Sequence, residues 1–285
     1  MNPEQQQAFI QEVRRAFAQL DHKHTAMQGG LRQQMIGLRR RLYALETMNQ
    51  LQAAGRTSRY PLEFRAQHNE DCMVYDLFAR QPTGYFIEVG AFDGYEFSVS
   101  YALECIGWTG LLIEAIPRRA QACKERRKHS RVVHSALGKR GCAPTANFTV
   151  VDDHWGGMLS FNTTDEETRR RFVASRTPSQ TVTVPQNTMD ALLEQDPNLA
   201  NYGHEVDLAS IDVEGGEIDV LQGFDLNRWK PKVILLEDNH DQSENSAVAR
   251  YMKEQDYHHA GWLDVNRIYI RNDLKEWGSR LSQWW

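Results

Sequence analysis

Short apolar runs alternate with amphipathic stretches from residue 85 to residue 270, and no other feature restricts the fold of this chain as much. Tyr85–Val89 reads as a buried strand, and a helix follows over Phe97–Gly107. Gly110–Ile113 is a second strand and Pro117–Lys128 its helix, opened by a proline whose fixed φ and missing N–H suit a first helical turn. Arg131–Ala136 is a third strand. The pattern resumes with strand Leu208–Val213, helix Glu217–Gln222, strand Val233–Leu236 and helix Ser243–Gln255. Strands joined through helix-length crossovers lie parallel, in an open sheet covered on both faces. Tyr257–Trp262 and Arg267–Ile270, with Leu263-Asp-Val-Asn266 between them, predict a closing antiparallel pair. Residues 140–187 break the alternation; Phe148-Thr-Val-Val151 and Thr181-Val-Thr-Val184 predict strands within an insertion.

The first 57 residues differ from the rest, which divides the chain into a helical segment, 1–57, and an α/β domain, 58–285. Phe9, Val13, Phe17 and Leu20 fall at helical spacing, and Gly29-Gly30 punctuates the pattern. Leu31, Met35, Leu38, Leu42 and Leu45 then alternate four and three apart, an a/d heptad seam. Two readings stand: a helix lying on its own domain, or an antiparallel hairpin or coiled coil that makes a homo-oligomer. Arg39-Arg40-Arg41 is a solvated face or a site for peripheral docking to an acidic membrane surface. Gly55-Arg-Thr-Ser58 reads as the linker.

Composition excludes several classes. A net charge of −5 argues against a nucleic-acid partner, which usually requires a basic surface. No apolar run approaches the roughly 18 residues that predict a transmembrane segment. The start, Met1-Asn-Pro-Glu-Gln-Gln-Gln7, lacks the basic and apolar regions of an export signal. Cys72, Cys105, Cys123 and Cys142 have no metal-binding spacing and read as small buried thiols, so the expected location is the cytoplasm.

The chemistry concentrates after the first strand, in Glu88-Val-Gly90-Ala91-Phe-Asp93-Gly94. In open α/β sheets the ligand crevice lies where this turn falls, at the carboxyl ends of the strands. Phosphate loops present bare amides to hold an anion. Here Glu88 and Asp93 instead suit a cation, such as the sulfonium and ammonium of S-adenosylmethionine. With no GxGxxG in the loop, a dehydrogenase is disfavoured. Glu114 ends the second strand about 20 residues on, where an acid accepts both ribose hydroxyls of a nucleoside.

Three blocks together resemble an FkbM-type methyltransferase: Phe86-Ile-Glu-Val-Gly-Ala-Phe-Asp-Gly94, then Tyr101-Ala-Leu-Glu-Cys-Ile-Gly-Trp-Thr-Gly-Leu-Leu-Ile-Glu114, then Leu208-Ala-Ser-Ile-Asp-Val-Glu-Gly-Gly-Glu-Ile-Asp-Val-Leu-Gln-Gly-Phe224. The resemblance spans residues 64–272 and omits the N-terminal helices. It implies a class I methyltransferase (Rossmann-like) fold, a seven-stranded α/β sheet with its last strand antiparallel. It also implies O-methylation of a sugar hydroxyl on a glycan or glycoconjugate, with a role in polysaccharide biosynthesis. By the same resemblance Glu88, Gly90 and Asp93, with Ala91 and Gly94 in the loop, border the methionine part of S-adenosylmethionine. Glu114 takes the ribose, Ser135 and Ala136 lie near the adenine, and Gly156-Gly-Met-Leu-Ser160 lies near the active site.

A sugar hydroxyl needs help to lose its proton, from a base or a metal. Asp212 and Glu214 end the fourth strand, and the fifth ends in Leu235-Leu-Glu-Asp-Asn-His240. An Asp after one strand and Asp-Asn after the next is similar to the magnesium site of catechol-type O-methyltransferases. Asp212, Asp238 and Asn239 are therefore candidate ligands of a divalent cation such as Mg²⁺, with Glu237 and His240 as substitutes. The competing readings are metal-free catalysis with Asp212, Glu214 or His240 as base, and Asp212 and Glu214 capping the next helix. His154, in the insertion, faces solvent or the acceptor. One of His258 and His259 faces inward, and Trp262, Trp277, Trp284 and Trp285 pack in the core or dock the tail. Two other functions remain: methylation of a small secondary metabolite, and a non-catalytic adaptor that binds a ligand through the same fold.

Overall fold

In the computed structural model, residues 3–151, 161–162, 179–238, 244–282 and 284 are described, with side chains from residue 28 onward except at 151 and 161–162. Among these, β1 (Tyr85–Val89), β2 (Thr109–Glu114) and β3 (Arg131–His134) build one half of a seven-stranded sheet. β8 (Leu208–Ile211), β9 (Val233–Glu237), β10 (Tyr257–Leu263) and β11 (Asn266–Arg271) build the other, in the order β10-β11-β9-β8-β1-β2-β3. β9, β8, β1, β2 and β3 are parallel, and β11 is antiparallel to both β9 and β10. The order reverses at β1, whose neighbours are β8 and β2, so the chain leaves the sheet on opposite sides there and opens a crevice.

Side chains alternate across each strand, and both faces are buried. Phe86 joins a core with Leu112, Leu208 and Leu235; Tyr85, Ile87 and Val89 join a second core with Leu111, Ile113 and Ile211. The first core is closed by α2 (Glu70–Leu77), α3 (Tyr101–Ile106) and α4 (Pro117–Arg126). The second lies under α5 (Met189–Glu194), α6 (Pro197–Ala200), α7 (Glu217–Gln222), α8 (Leu226–Trp229) and α9 (Ala247–Lys253). The insertion forms a side sheet of β4 (Ala136–Leu137), β5 (Thr145–Val151), β6 (Phe161–Asn162) and β7 (Ser179–Asn187), in the order β4-β7-β5-β6.

The N-terminal segment differs from the expectation of a hairpin. α1 is one helix, Pro3–Ala53, with no turn at Gly29-Gly30. A helix pays only about 1 kcal/mol per glycine, which a long hydrogen-bonded run absorbs. Nor does α1 lie on the domain through its leucine seam. It docks through Ile36, Tyr43, Thr47 and Leu51: Tyr43 donates to Asp76 and packs edge-on against Phe64, and Tyr75 donates to Gln50 at 2.8 Å. Leu38 and Tyr43 are five residues apart, about 140° around the helix, so the seam faces away. The triple arginine divides as well: Arg39 stacks on Trp284, Arg40 donates to the Ala66 and Gln67 carbonyls, and Arg41 is exposed.

The expected linker is a clamp rather than a tether. Arg56 donates to the Ile106 carbonyl and Arg59 to that of Trp108, each at 2.6 Å. All four cysteines are free, and Cys72, Cys105 and Cys123 are buried. Trp277 packs on Phe78, Trp262 lies under Arg267, and His259 faces inward while His258 is exposed. No helix among the described residues is long and apolar enough to cross a membrane.

Candidate active site

A cavity of about 520 Å³ opens at the carboxyl ends of the central strands, within the roughly 300–1,000 Å³ of small-molecule sites. Its walls are residues 90–92 after β1, 114–116 after β2, 135–137 after β3 and 212–216 after β8, with Glu237 at the end of β9.

Gly90 sets the spacing. Its φ is +78°, and a Cβ there would stand 1.9 Å from the Asp212 carbonyl oxygen, so a side chain would push β8 off β1. Its amide donates to Ile113, which ties the loop to β2.

The acids on the β1–β2 side are occupied. Glu88 borders the cavity, but its carboxylate accepts from Val99 N at 2.7 Å, from Ser98 Oγ at 2.9 Å and from Ser100 Oγ. Arg127 stands 3.9 Å from Glu88 and bridges to Glu104 at 2.9 Å, donating also to Gly94 O and Ser98 Oγ. Glu104 is held below the usual carboxylate range: burial opposes ionisation, but Arg127, Ser130 and Tyr60 together outweigh it. Asp93 and Gly94, expected at the cofactor, do not line the cavity. Asp93 accepts the Tyr95 and Glu96 amides, both at 2.9 Å, and pairs with Arg126. Gly94 makes room for Cys123 and Arg127, which a Cβ would meet at 2.7 and 2.8 Å. Glu114 does face the cavity. One oxygen accepts from Phe92 N at 2.9 Å and the other from Ile116 N at 2.7 Å, and the Ala115 amide also bonds the carboxylate. Burial raises its pKa.

On the β8–β9 side the acids face each other. Asp212, Glu214 and Glu237 each offer an oxygen within 4.8 Å of the others. Water reaches Asp212 through the cavity, but protein crowds around it, and that enclosure raises its pKa; it accepts hydrogen bonds from Glu237 and from the Glu214 amide. Burial, then Asp212, drives Glu237 well above the usual range, so the Asp212–Glu237 pair holds one proton between its two carboxyls. Glu214 sits at φ +55°, a left-handed backbone that a non-glycine residue holds at a cost of about 1–3 kcal/mol. Helix capping is not the task of this pair: Gly216 is the N-cap of α7, and Glu217 accepts the Val213 and Gly215 amides, both at 3.2 Å. Burial pushes Glu217 up to about 7.

Asp238, an expected metal ligand, points elsewhere. Successive residues of a strand face opposite ways, and Asp238 pairs with the buried Arg267 and accepts from Ser246 at 2.6 Å. Glu237 takes its place in the cluster. Asn239, His240, His154, residues 156–160 and Trp285 lie outside the described residues.

Sequence reasoning missed a further wall. Glu70 is buried at the cavity, accepts from Asn266 Nδ2 at 2.9 Å and from His68 N at 2.8 Å, and is pushed by burial up to about 7. His68 also borders the cavity and contacts Asp264, which Arg32 of α1 reaches at 3.0 Å. Burial lowers the pKa of His68. The polar run Gln67-His-Asn-Glu-Asp71 and the turn at Leu263–Asn266 look like surface in the sequence; only the closing of β11 beside β9 brings them together.

The family model described as "Methyltransferase FkbM domain" matches residues 88–258, more than half of the chain. Among solved structures, a proposed RNA methyltransferase from Pyrococcus horikoshii is 8% identical with a TM-score of 0.35, covering 72% of this chain and 82% of its own. A TehB-like SAM-dependent methyltransferase from Corynebacterium glutamicum is 12% identical with a TM-score of 0.33, covering 81% and 97%. No curated protein matches the sequence.

Proposed function

The chain belongs to the FkbM family of S-adenosylmethionine-dependent methyltransferases, and from that premise we propose that it methylates a sugar hydroxyl of a glycan or glycoconjugate. One observation carries the O-methyl part of this reading: Asp212, clustered with Glu214 and Glu237, shares a cavity with Glu114 and the Gly90 loop.

Glu114 turns its carboxylate to the cavity, where it would accept the cis-hydroxyls of a ribose. Ser135 and Ala136 would border the adenine, and Gly90 and Ala91, with no side-chain bulk beyond a methyl, would border the methionine chain. Glu88 acts as a positioning residue that ties residues 98–100 to β1, rather than as a free counter-charge. When bound, S-adenosylmethionine supplies an electrophilic methyl group on a sulfonium. Asp212 then accepts the proton of the acceptor hydroxyl, and its raised pKa makes it a stronger base than an aspartate free in water. Glu214, Glu70 and Asn266 give the acceptor side acids and an amide, the groups that read sugar hydroxyls, while the acidity repels phosphate.

The carboxylate oxygens of Asp212, Glu214 and Glu237 also suit a hard divalent cation. Chelation separates the two readings: with Asp212 as base, turnover persists in EDTA. The test of function is transfer of a labelled methyl group to a cell-envelope glycan fraction, read by mass spectrometry as a gain of one methyl on a sugar. Transfer only to small metabolites favours a metabolite O-methyltransferase. Calorimetry showing no binding of S-adenosylmethionine refutes the enzyme and favours the adaptor.

A further inference from the structure

The exposed large hydrophobics of the described residues share one helix face: Leu31, Met35, Leu38, Leu42, Leu45 and Met48 of α1 are 53–65% exposed. A stripe of that kind marks an interaction surface. We propose that it joins two copies of this chain in a parallel, in-register coiled coil.

The spacing argues for a second copy. Placing Leu31, Leu38 and Leu45 at d makes Met35 and Leu42 the a residues, and the next a position is Asn49, also exposed. In a parallel two-stranded coil each a or d residue meets its own equivalent, so the stripe needs no other sequence to complete it. An asparagine at a finds its amide partner in the same residue of the second chain, and it fixes both register and strand number.

Charge agrees. Arg41 at g is exposed and lies five residues before Glu46 at e, the offset at which g of one helix meets e of the other in a parallel pair; Glu46 pairs with Arg80 at 2.9 Å in its own chain and has a second oxygen to share. The e-side arginines do not oppose it, because Arg32 is turned to Asp264 and Arg39 to Trp284. Area agrees as well: six side chains more than half exposed on each copy supply roughly the 1,200 Å² at which specific interfaces begin. Finally, α1 carries its domain on the face opposite the seam, so a two-fold axis along the coil sets the two domains on opposite flanks without collision.

Sedimentation velocity of the full chain tests the proposal. Twice the chain mass is expected at tens of micromolar, and a monomer, trimer or tetramer overturns it. A monomer that co-sediments with anionic phospholipid vesicles also overturns it, giving the stripe to a membrane instead. The double variant Leu38→Glu/Leu45→Glu should be monomeric with unchanged helical circular dichroism, since both residues are exposed; a surviving dimer overturns the interface. Asn49→Cys, oxidised gently, should cross-link to a covalent dimer that the unmodified chain does not form. Failure to cross-link rules out the parallel register, and this test does not depend on the double variant folding.

Discussion

The two sides of the cavity use the same residue types for opposite purposes. Beside β1 and β2, the carboxylates of Glu88, Glu104 and Asp93 are spent on amides, hydroxyls and the guanidiniums of Arg127 and Arg126. Those acids are satisfied, and they stiffen the loop between β1 and α3. Beside β8 and β9, Asp212 and Glu237 share a proton, and burial pushes Glu70 and Glu217 up to about 7. Acids held by guanidiniums are scaffold; Asp212 and Glu237, set against each other in a protein-walled hollow, are a proton-handling device. The difference lies in what each carboxyl faces, not in how many carboxyls each side holds.

Asp212→Asn should break the comparison most sharply. It keeps the shape and removes the base, so turnover should fall about 10²–10⁴-fold while the affinity for S-adenosylmethionine changes little. Single-turnover kinetics beside calorimetry separates the two quantities, and retained turnover returns the β8 side to a structural role. Next in size is the response of the ligand-free protein to pH. Glu70 and Glu217 stand near 7 when folded and near the ordinary 4.5 when unfolded, so the folded state binds more protons between those values. Their contribution to stability is full below about pH 4.5 and is lost as pH rises through about 7. The melting temperature should therefore drop by several degrees between pH 5 and pH 8, an effect on the order of a few kcal/mol. The β1–β2 side predicts the reverse slope for Glu104, present only at lower pH, where its bond to Arg127 fails. A flat or rising profile from pH 5 to 8 would show that the β8–β9 acids are as well matched as their neighbours.

Much of the sheet was legible in the sequence because strand and helix periods are local. The predicted Tyr85–Val89 and Glu217–Gln222 fall where the structure has them, and the 257–271 pair closes the sheet as expected. The heptad seam was legible too, but not its direction: Tyr43, Thr47 and Leu51 form a second, weaker stripe that only packing against α2 identifies as the docked one. At the site, Gly90, Glu114 and Asp212 could be placed because each ends or follows a strand, and strand ends converge. Asp93 and Asp238 were misplaced because the neighbouring position on a turn or strand points the other way. Nothing in the sequence marks Arg127 as buried and bridging Glu104, because its partner lies 23 residues away.

Glu114 tests whether the β1–β2 side is only scaffold. It is the acid on that side that both props its loop, through Phe92 N and Ile116 N, and turns its carboxylate to the cavity. Glu114→Gln retains one carbonyl acceptor and most of the shape, whereas Glu114→Ala removes both acceptors. If the residue holds a ribose diol, the glutamine variant should weaken S-adenosylmethionine binding about 10-fold and the alanine variant up to about 100-fold, the cost of one or two hydrogen bonds to a charged acceptor. S-adenosylhomocysteine, with the same ribose and no sulfonium, should lose affinity in parallel, because the missing contact is to the diol and not to the charge. If the two ligands diverge, Glu114 acts on the sulfonium through its charge, and the division between a satisfied side and a reactive side moves from β2 to β1. If both variants bind like the unmodified chain but melt lower, Glu114 is scaffold like Glu88, and the ribose is held elsewhere.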